Sequence, residues 1–247
     1  MSRVAIVTGA ASGMGEAIAR HLARANDAVA LFDIDEEKAS GVADLLTAAG
    51  ARAVAYSVDV ADRATVDAAI AKVRKDLGPI EIVVTSAGRS KFEPFESITV
   101  ESWQAIFAVN VLGTFHCVQA AIPDMVAAKW GRIVTISSSS GQEGAHRAAH
   151  YATSKGAVIT LTKALAKEYG RHNINVNNIA PSLIETPMQL AAETAGNIPS
   201  REAMAARSLL KRLGTVDEVA ATCAFLCSDD AGYITGQVIG VNGGSVL

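Results

Sequence analysis

Apolar residues fall along this chain in short unbroken runs, and between the runs they return every three or four positions. Val4-Ala5-Ile6-Val7 and Ile82-Val83-Val84 do not alternate with polar residues. Strands of that kind are buried on both faces, the condition of a parallel sheet covered by helices. Strands are predicted at 4–8, 28–33, 52–57, 80–85, 131–137, 174–180 and 236–241. Helices fill the intervals, near 13–26, 35–49, 63–77, 98–128, 151–171 and 215–228. Gly50, Gly78-Pro79 and Gly131 are placed to stop three of them. Strand–helix–strand units with right-handed crossovers build a doubly wound α/β sheet of seven parallel strands. All 247 residues fit one domain of this class. One stretch breaks the rhythm: 183–212 is rich in Ala, Met and Leu and is interrupted by Pro187, Gly196 and Pro199. A long excursion past the end of a strand belongs beside the ligand, so this one reads as a substrate lid.

Composition narrows the class. The chain is 50% hydrophobic but 5% aromatic, so its core is built of Ala, Val, Ile and Leu. A net charge of -3 gives no general attraction to nucleic acid. Gly, Asp or Ser interrupts the apolar runs before the roughly 20 residues a membrane helix needs, so no membrane span is expected. Met1-Ser2-Arg3 leads straight into the first strand, so no secretory signal is expected. Cys117, Cys223 and Cys227 have neither zinc nor redox spacing and read as small buried hydrophobes. A cytoplasmic protein is expected. His146 and His150 stand without a partner at metal-ligand spacing, so no metal is expected and His150 is set aside.

The first strand runs into Thr8-Gly9-Ala10-Ala11-Ser12-Gly13-Met14-Gly15, and an amphipathic helix follows. Glycines there permit a tight turn and a close approach of backbone to a pyrophosphate, which the helix N-terminus attracts. Asp33 closes the second strand 18 residues after Gly15, near the offset at which a carboxylate meets the adenosine ribose hydroxyls. A carboxylate repels a 2′-phosphate, and neither Ser12 nor Ile34 offers a cation. NAD(H) is therefore favoured over NADP(H).

A second constellation lies downstream. Tyr151 and Lys155 are spaced i, i+4 at the start of a helix and share a face. Ser138 ends the fifth strand, thirteen residues before Tyr151, where ligands bind to parallel sheets. Asn110 interrupts an otherwise apolar helix, a position that costs stability unless its amide finds partners. A tyrosine activated by a nearby cation suits the proton transfer that accompanies hydride exchange between an alcohol and a ketone.

The spacing Thr8-Gly9-x-x-x-Gly13-x-Gly15 and the series Asn110, Ser138, Tyr151, Lys155 resemble the short-chain dehydrogenase/reductase family, and the resemblance spans essentially the whole chain. It implies a Rossmann fold and a catalytic tetrad of those four residues. Tyr151 would be the acid/base, Ser138 a donor to the substrate oxygen, Lys155 a holder of the nicotinamide ribose, and Asn110 the seat of a water linking Lys155 to solvent. It also implies cofactor contacts at Gly9, Ala11, Ser12, Gly13, Met14, Gly15, Asp33 and Ile34, at Asp59-Val60, and at Ser86-Ala87-Gly88. Pro181, Ser182, Ile184 and Thr186 would complete the set together with Tyr151 and Lys155. Thr85-Ser86 and Ser182 depart from the family's Asn-Asn and Pro-Gly patterns; a positive φ at residue 182 would strain a serine.

The pattern is nearest the 3-oxoacyl reductase and 3-hydroxyacyl dehydrogenase branch, and the family resemblance also implies a homotetramer. Helices 98–128 and 151–171 and the segment 234–247 would then make the interfaces. Ser138, Ser140, Gln142, His146, Tyr151, Ser182, Leu183 and Met188 are the expected substrate contacts, and the substrate an apolar hydroxyacyl or oxoacyl compound. A cyclic, steroid, aryl or polyol alcohol is the alternative. A non-catalytic NAD-binding sensor or scaffold stays open as a reading of another class.

Overall fold

The computed structural model describes residues 3–25 and 27–247. Strands β1 (Val4–Thr8), β2 (Ala28–Asp33), β3 (Ala53–Ser57), β4 (Ile80–Thr85), β5 (Gly131–Ile136), β6 (Ile174–Pro181) and β7 (Val238–Val241) form one sheet in the order β3-β2-β1-β4-β5-β6-β7. Every pairing is parallel. The helices are α1 (Gly13–Arg24), α2 (Glu36–Ala48), α3 (Arg63–Asp76), α4 (Val100–Phe107), α5 (Gly113–Ala128), α6 (Ser140–Glu143), α7 (Ala149–Tyr169), α8 (Pro187–Thr194), α9 (Arg201–Arg207) and α10 (Val216–Cys227).

β1, β5 and β6 are buried at every position, as unbroken apolar runs require. Their side chains alternate between two cores. Ala5 and Val7 join α1, α2 and α10 on one face; Val4 and Ile6 join α3 and α5 on the other. The chain winds outward from β1 to β3, then crosses back to β4 and winds the other way. That reversal opens a crevice beyond the C-terminal ends of β1 and β4, the usual binding place of such sheets.

The predicted elements are all present, with ends shifted by a few residues. The predicted end of the first helix at Asn26 lies outside the described residues. Helix 98–128 is one helical run with a π-helical turn at Ala108–Leu112, and it holds Asn110. Its 29 residues from Val100 to Ala128 are long and apolar enough to cross a membrane by length and composition, although Ser102, Gly113 and Asp124 interrupt the apolar run as expected from the sequence. Half of an 18-residue apolar window within it is buried in the protein. α5 ends on Lys129 in the left-handed region (φ 52), not on Gly131. Gly131 heads β5 instead, where a Cβ would meet Met125 Sδ at 2.7 Å. The 183–212 excursion is less irregular than predicted, since it contains α8 and α9.

Candidate active site

At the end of β1 the chain turns into α1. Ser12 occupies the N-cap with extended dihedrals but makes no side-chain cap bond, so the first-turn N–H groups face outward without a side-chain acceptor. They border a cavity of about 300 Å³ walled by Gly9, Ser12, Gly13, Met14, Gly15, Asp33 and Ile34. Asp59, Val60, Ser86, Ala87, Gly88, Thr186 and Met188 complete much of the wall. A helix N-terminus opening on a cavity suits an anion, and the fit extends to a dinucleotide pyrophosphate. Two glycines have no substitute. A Cβ on Gly15 would run into the Gly9 carbonyl oxygen, and Gly9 combines φ +67 with Ala87 Cα 2.9 Å from where its own Cβ would stand.

Ala11 is placed differently from its expected role: it is off the cavity wall, and its N–H donates to Asp33 Oδ2 at 3.0 Å. The Asp35 N–H donates to Asp33 Oδ1, also at 3.0 Å. Asp33 is thus clamped at the mouth of the glycine loop. Among the described residues the cavity wall carries two carboxylates, Asp33 and Asp59, and no Lys or Arg. Phe32, Val58, Val109 and Pro187 also line it and were not singled out from sequence.

The four tetrad candidates converge from three elements. Tyr151 and Lys155 lie one turn apart on α7, with Lys155 Nζ 5.8 Å from the Tyr151 ring centre. Lys155 is buried and its Nζ donates to Ile136 O at 2.9 Å, at the end of β5. Burial lowers its pKa to about 8. Burial raises the Tyr151 phenol, while a hydrogen bond from Ser138 works the other way. A Cβ on Gly88 would stand 3.4 Å from Lys155 Nζ and 3.6 Å from Asn110 Oδ1, so glycine leaves this corner open to the cavity.

Asn110 is satisfied within the protein. Its Oδ1 accepts from Arg89 N–H at 2.8 Å, and its Nδ2 donates to Arg89 O at 3.0 Å and to Ser154 Oγ at 2.9 Å. Ser154 Oγ donates in turn to Tyr151 O at 2.7 Å. A buried ladder fixes β5 against β6 and α7: Asn178 donates to Thr135 Oγ1 at 2.7 Å, Ser137 donates to Asn178 Oδ1 at 2.6 Å, and the Thr135 and Thr162 hydroxyls lie 2.7 Å apart. Gly141 lies against the backbone of Lys155 and Gly156, which holds the Ser138 turn on α7.

The departures at Thr85-Ser86 and Ser182 resolve separately. The Ala87 N–H donates to Thr8 Oγ1 at 2.9 Å, tying β1 to the end of β4, while the buried Thr85 hydroxyl has no partner among the described residues. The left-handed residue after β6 is Leu183 (φ 57), not Ser182, so the strain falls on a bulkier side chain.

A second cavity, of about 240 Å³, adjoins Tyr151. Ser138, Ser140, Pro181, Ser182, Leu183, Ile184, Thr186 and Met188 line it, as do Met14, Ser90, Phe92, Gln189 and Met204. Met14, Thr186 and Met188 border both cavities. Gln142 and His146, expected substrate contacts, are exposed and line neither cavity; Gln142 lies on α6 and His146 in the turn that follows it. Phe92 and Ser90 come from a coil segment whose approach to Tyr151 leaves no periodic signal in sequence.

Comparison with known proteins finds relatives along essentially the whole chain. A family model described as Enoyl-(Acyl carrier protein) reductase matches residues 9–245. The (2S)-[(R)-hydroxy(phenyl)methyl]succinyl-CoA dehydrogenase subunit BbsD of Thauera aromatica is 38% identical, over 100% of this chain and 97% of its own length. The 3-oxoacyl-[acyl-carrier-protein] reductase of Thermotoga maritima is 36% identical, over 99% of this chain and 98% of its own. Among solved structures, an Agrobacterium tumefaciens protein assigned as a candidate gluconate dehydrogenase superposes with a TM-score of 0.93 at 28% identity, covering 99% of this chain and 97% of that one.

Proposed function

The chain belongs to the short-chain dehydrogenase/reductase family, in its 3-oxoacyl reductase branch, and on that premise we propose that it interconverts a secondary alcohol and a ketone with NAD(H), Tyr151 serving as general acid and base. Membership makes it an oxidoreductase of alcohol and ketone groups that uses a nicotinamide cofactor. The observation that carries the proposed chemistry is the Tyr151–Lys155 pair on one face of α7, between Ser138 and the Gly88 corner of the dinucleotide cavity.

The N-terminus of α1 would hold the pyrophosphate, Asp33 the adenosine ribose and Lys155 the nicotinamide ribose. The bound nicotinamide supplies the acceptor or donor of hydride. Tyr151 Oη takes the hydroxyl proton during oxidation and returns it during reduction, while Ser138 donates a hydrogen bond to the substrate oxygen. A free phenol titrates near 10, and bringing it to about 7 needs roughly 4 kcal/mol. Burial works against this, so the Lys155 charge must supply the stabilisation; a pKa of about 8 leaves it mostly protonated at neutral pH. The Asp33 carboxylate and the lack of a Lys or Arg on the wall, among the described residues, favour NAD(H).

The cavity beside Tyr151 has no charged side chain among the described residues. An uncharged segment therefore flanks the reacting carbon, which suits the acyl part of a 3-hydroxyacyl or 3-oxoacyl compound. An aryl alcohol is the second reading, favoured by Phe92 and by the polarisable Met14, Met188 and Met204 around the cavity. α8 and α9 would serve as the lid of a single domain. The test is dinucleotide oxidation with acetoacetyl-CoA and with an aryl methyl ketone. The reading expects NADH to be about tenfold or more superior to NADPH, a difference of about 1.4 kcal/mol. Absence of hydride transfer to any ketone would contradict it.

A further inference from the structure

His150, set aside from sequence, is fully buried immediately before Tyr151. Among the described residues its Nδ1 has no hydrogen-bond partner, and its Nε2 stands 3.3 Å from Glu93 Oε2, close enough for an ion pair but not aligned as a hydrogen bond. A buried imidazole so poorly satisfied calls for an explanation.

Glu93 is a node. Its carboxylate meets Lys91 Nζ at 2.8 Å and accepts from the Ser102 hydroxyl on α4. Its backbone N–H donates to Arg147 O at 2.6 Å. Arg147 is left-handed (φ 55), and Ala148, the N-cap of α7, offers no side-chain cap. The start of α7, whose first turn carries Tyr151 and lacks a side-chain cap, is therefore tied to residue 93 at two points, the Arg147 carbonyl before the helix and the His150 ring within its first turn. The same segment forms a wall of the cavity beside Tyr151. Ser90 and Phe92 line that cavity, whereas Lys91 and Glu93 do not and pair with each other, the alternation of an extended chain.

We propose that Glu93 and His150 are positioning residues that clamp the start of α7 to the cavity wall and hold the Tyr151 phenol in register with Ser138 and Lys155. The proposal rests on the reading of Tyr151 as acid and base. A helix start without a cap frays, and a displacement of about 1 Å at a reacting group can cost on the order of a hundredfold in rate. The groups that bear on the phenol are Lys155 from its own helix and Ser138 from the end of β5. Glu93 and Lys91 act from the neighbouring coil, and Ser102 from α4, through His150.

The two ways Glu93 could act on Tyr151 have opposite signs. Removing its negative charge alone would ease ionisation of the phenol and lower its pKa. Releasing the clamp would cost the phenolate its contacts with Ser138 and Lys155, and would raise it. Tyrosine labelled with ¹³C at Cζ gives four signals, that of Tyr151 assigned by its loss in Tyr151→Phe. With NAD bound and titrated from about pH 6 to about pH 11, Glu93→Gln is expected to raise the Tyr151 pKa by about half a unit or more. NAD affinity is expected to stay within about twofold, or 0.4 kcal/mol. His150→Ala should do the same, and His150→Gln, which keeps a donor near the Nε2 position, should restore most of the parent value. Should His150→Ala fail to fold, Glu93→Gln and His150→Gln carry the test. An unchanged or lowered Tyr151 pKa in Glu93→Gln overturns the proposal. A parent Tyr151 that stays protonated throughout overturns the acid/base reading beneath it, and the proposal with it.

Discussion

Lys155 is 5% exposed, its ammonium donates to the Ile136 carbonyl oxygen, and burial disfavours its charged form. Its pKa falls from 10.5 in the open chain to about 8 in the folded protein. Between those values the unfolded chain binds more protons than the folded one, so stability rises as the pH climbs through that window; below it the full penalty stands. At about 1.4 kcal/mol per unit the penalty is roughly 3 kcal/mol, against about 1 kcal/mol for the hydrogen bond to Ile136. Lys155→Met is therefore expected to stabilise the protein by on the order of 2 kcal/mol at pH 7 while removing turnover. Urea unfolding measures this, and a less stable variant would contradict it. Asp33 is also tested at this scale. Asp33→Asn should narrow the preference for NADH over NADPH by about tenfold, or 1.4 kcal/mol, read from the two dissociation constants; an unchanged ratio would place the discrimination elsewhere. Residue identities of this kind were legible in the sequence because their chemistry is local. The angle at Leu183 was not, since it depends on where β6 delivers the chain.

At the level of elements, the glycine loop was legible because its constraints are steric and short-ranged. Gly15→Ala drives a Cβ into the Gly9 carbonyl oxygen, a backbone atom that cannot swing away. It is expected to destabilise the protein by about 1–3 kcal/mol, the scale of overpacking, and to weaken dinucleotide binding. Calorimetry and a binding titration would show both; wild-type values for both would mean that the loop can shift. The π-helical turn at Asn110 was hidden, because Ala108, Val109, Val111 and Leu112 around it are all apolar and mask the slip in helical phase. Three hydrogen bonds to Arg89 and Ser154 hold that amide, and none involves a neighbour in sequence. α8 and α9 did leave a signal. Thr186 before Pro187, and Ser200, cap them by accepting from Gln189 N–H and Ala203 N–H, yet Pro187, Gly196 and Pro199 read as breaks.

Across the whole molecule, unbroken apolar strands were enough to predict a parallel sheet, and the sheet order places the glycine loop, Asp33, Ser138 and Gly88 along its C-terminal edge. The cavity beside Tyr151 was only partly legible, because the coil at 90–92, the turn at 137–140 and the excursion at 183–204 all meet there from distant parts of the chain. Assembly belongs to this scale as well. Val100, Leu112 and Phe115 are 66%, 48% and 40% exposed on the long helical run, which suits the homotetramer expected from the family. Phe115→Glu should reduce the solution mass measured by light scattering; an unchanged tetramer would exclude this face from the contact, and a parent monomer would refute the assembly. Everything in the arrangement bears on the phenol of Tyr151. The most direct measurement is turnover and NADH affinity of Tyr151→Phe against the parent on the same ketone. The expected result is a loss of activity by at least about a thousandfold, roughly 4 kcal/mol in the barrier, with NADH bound as before. Substantial residual turnover would contradict it.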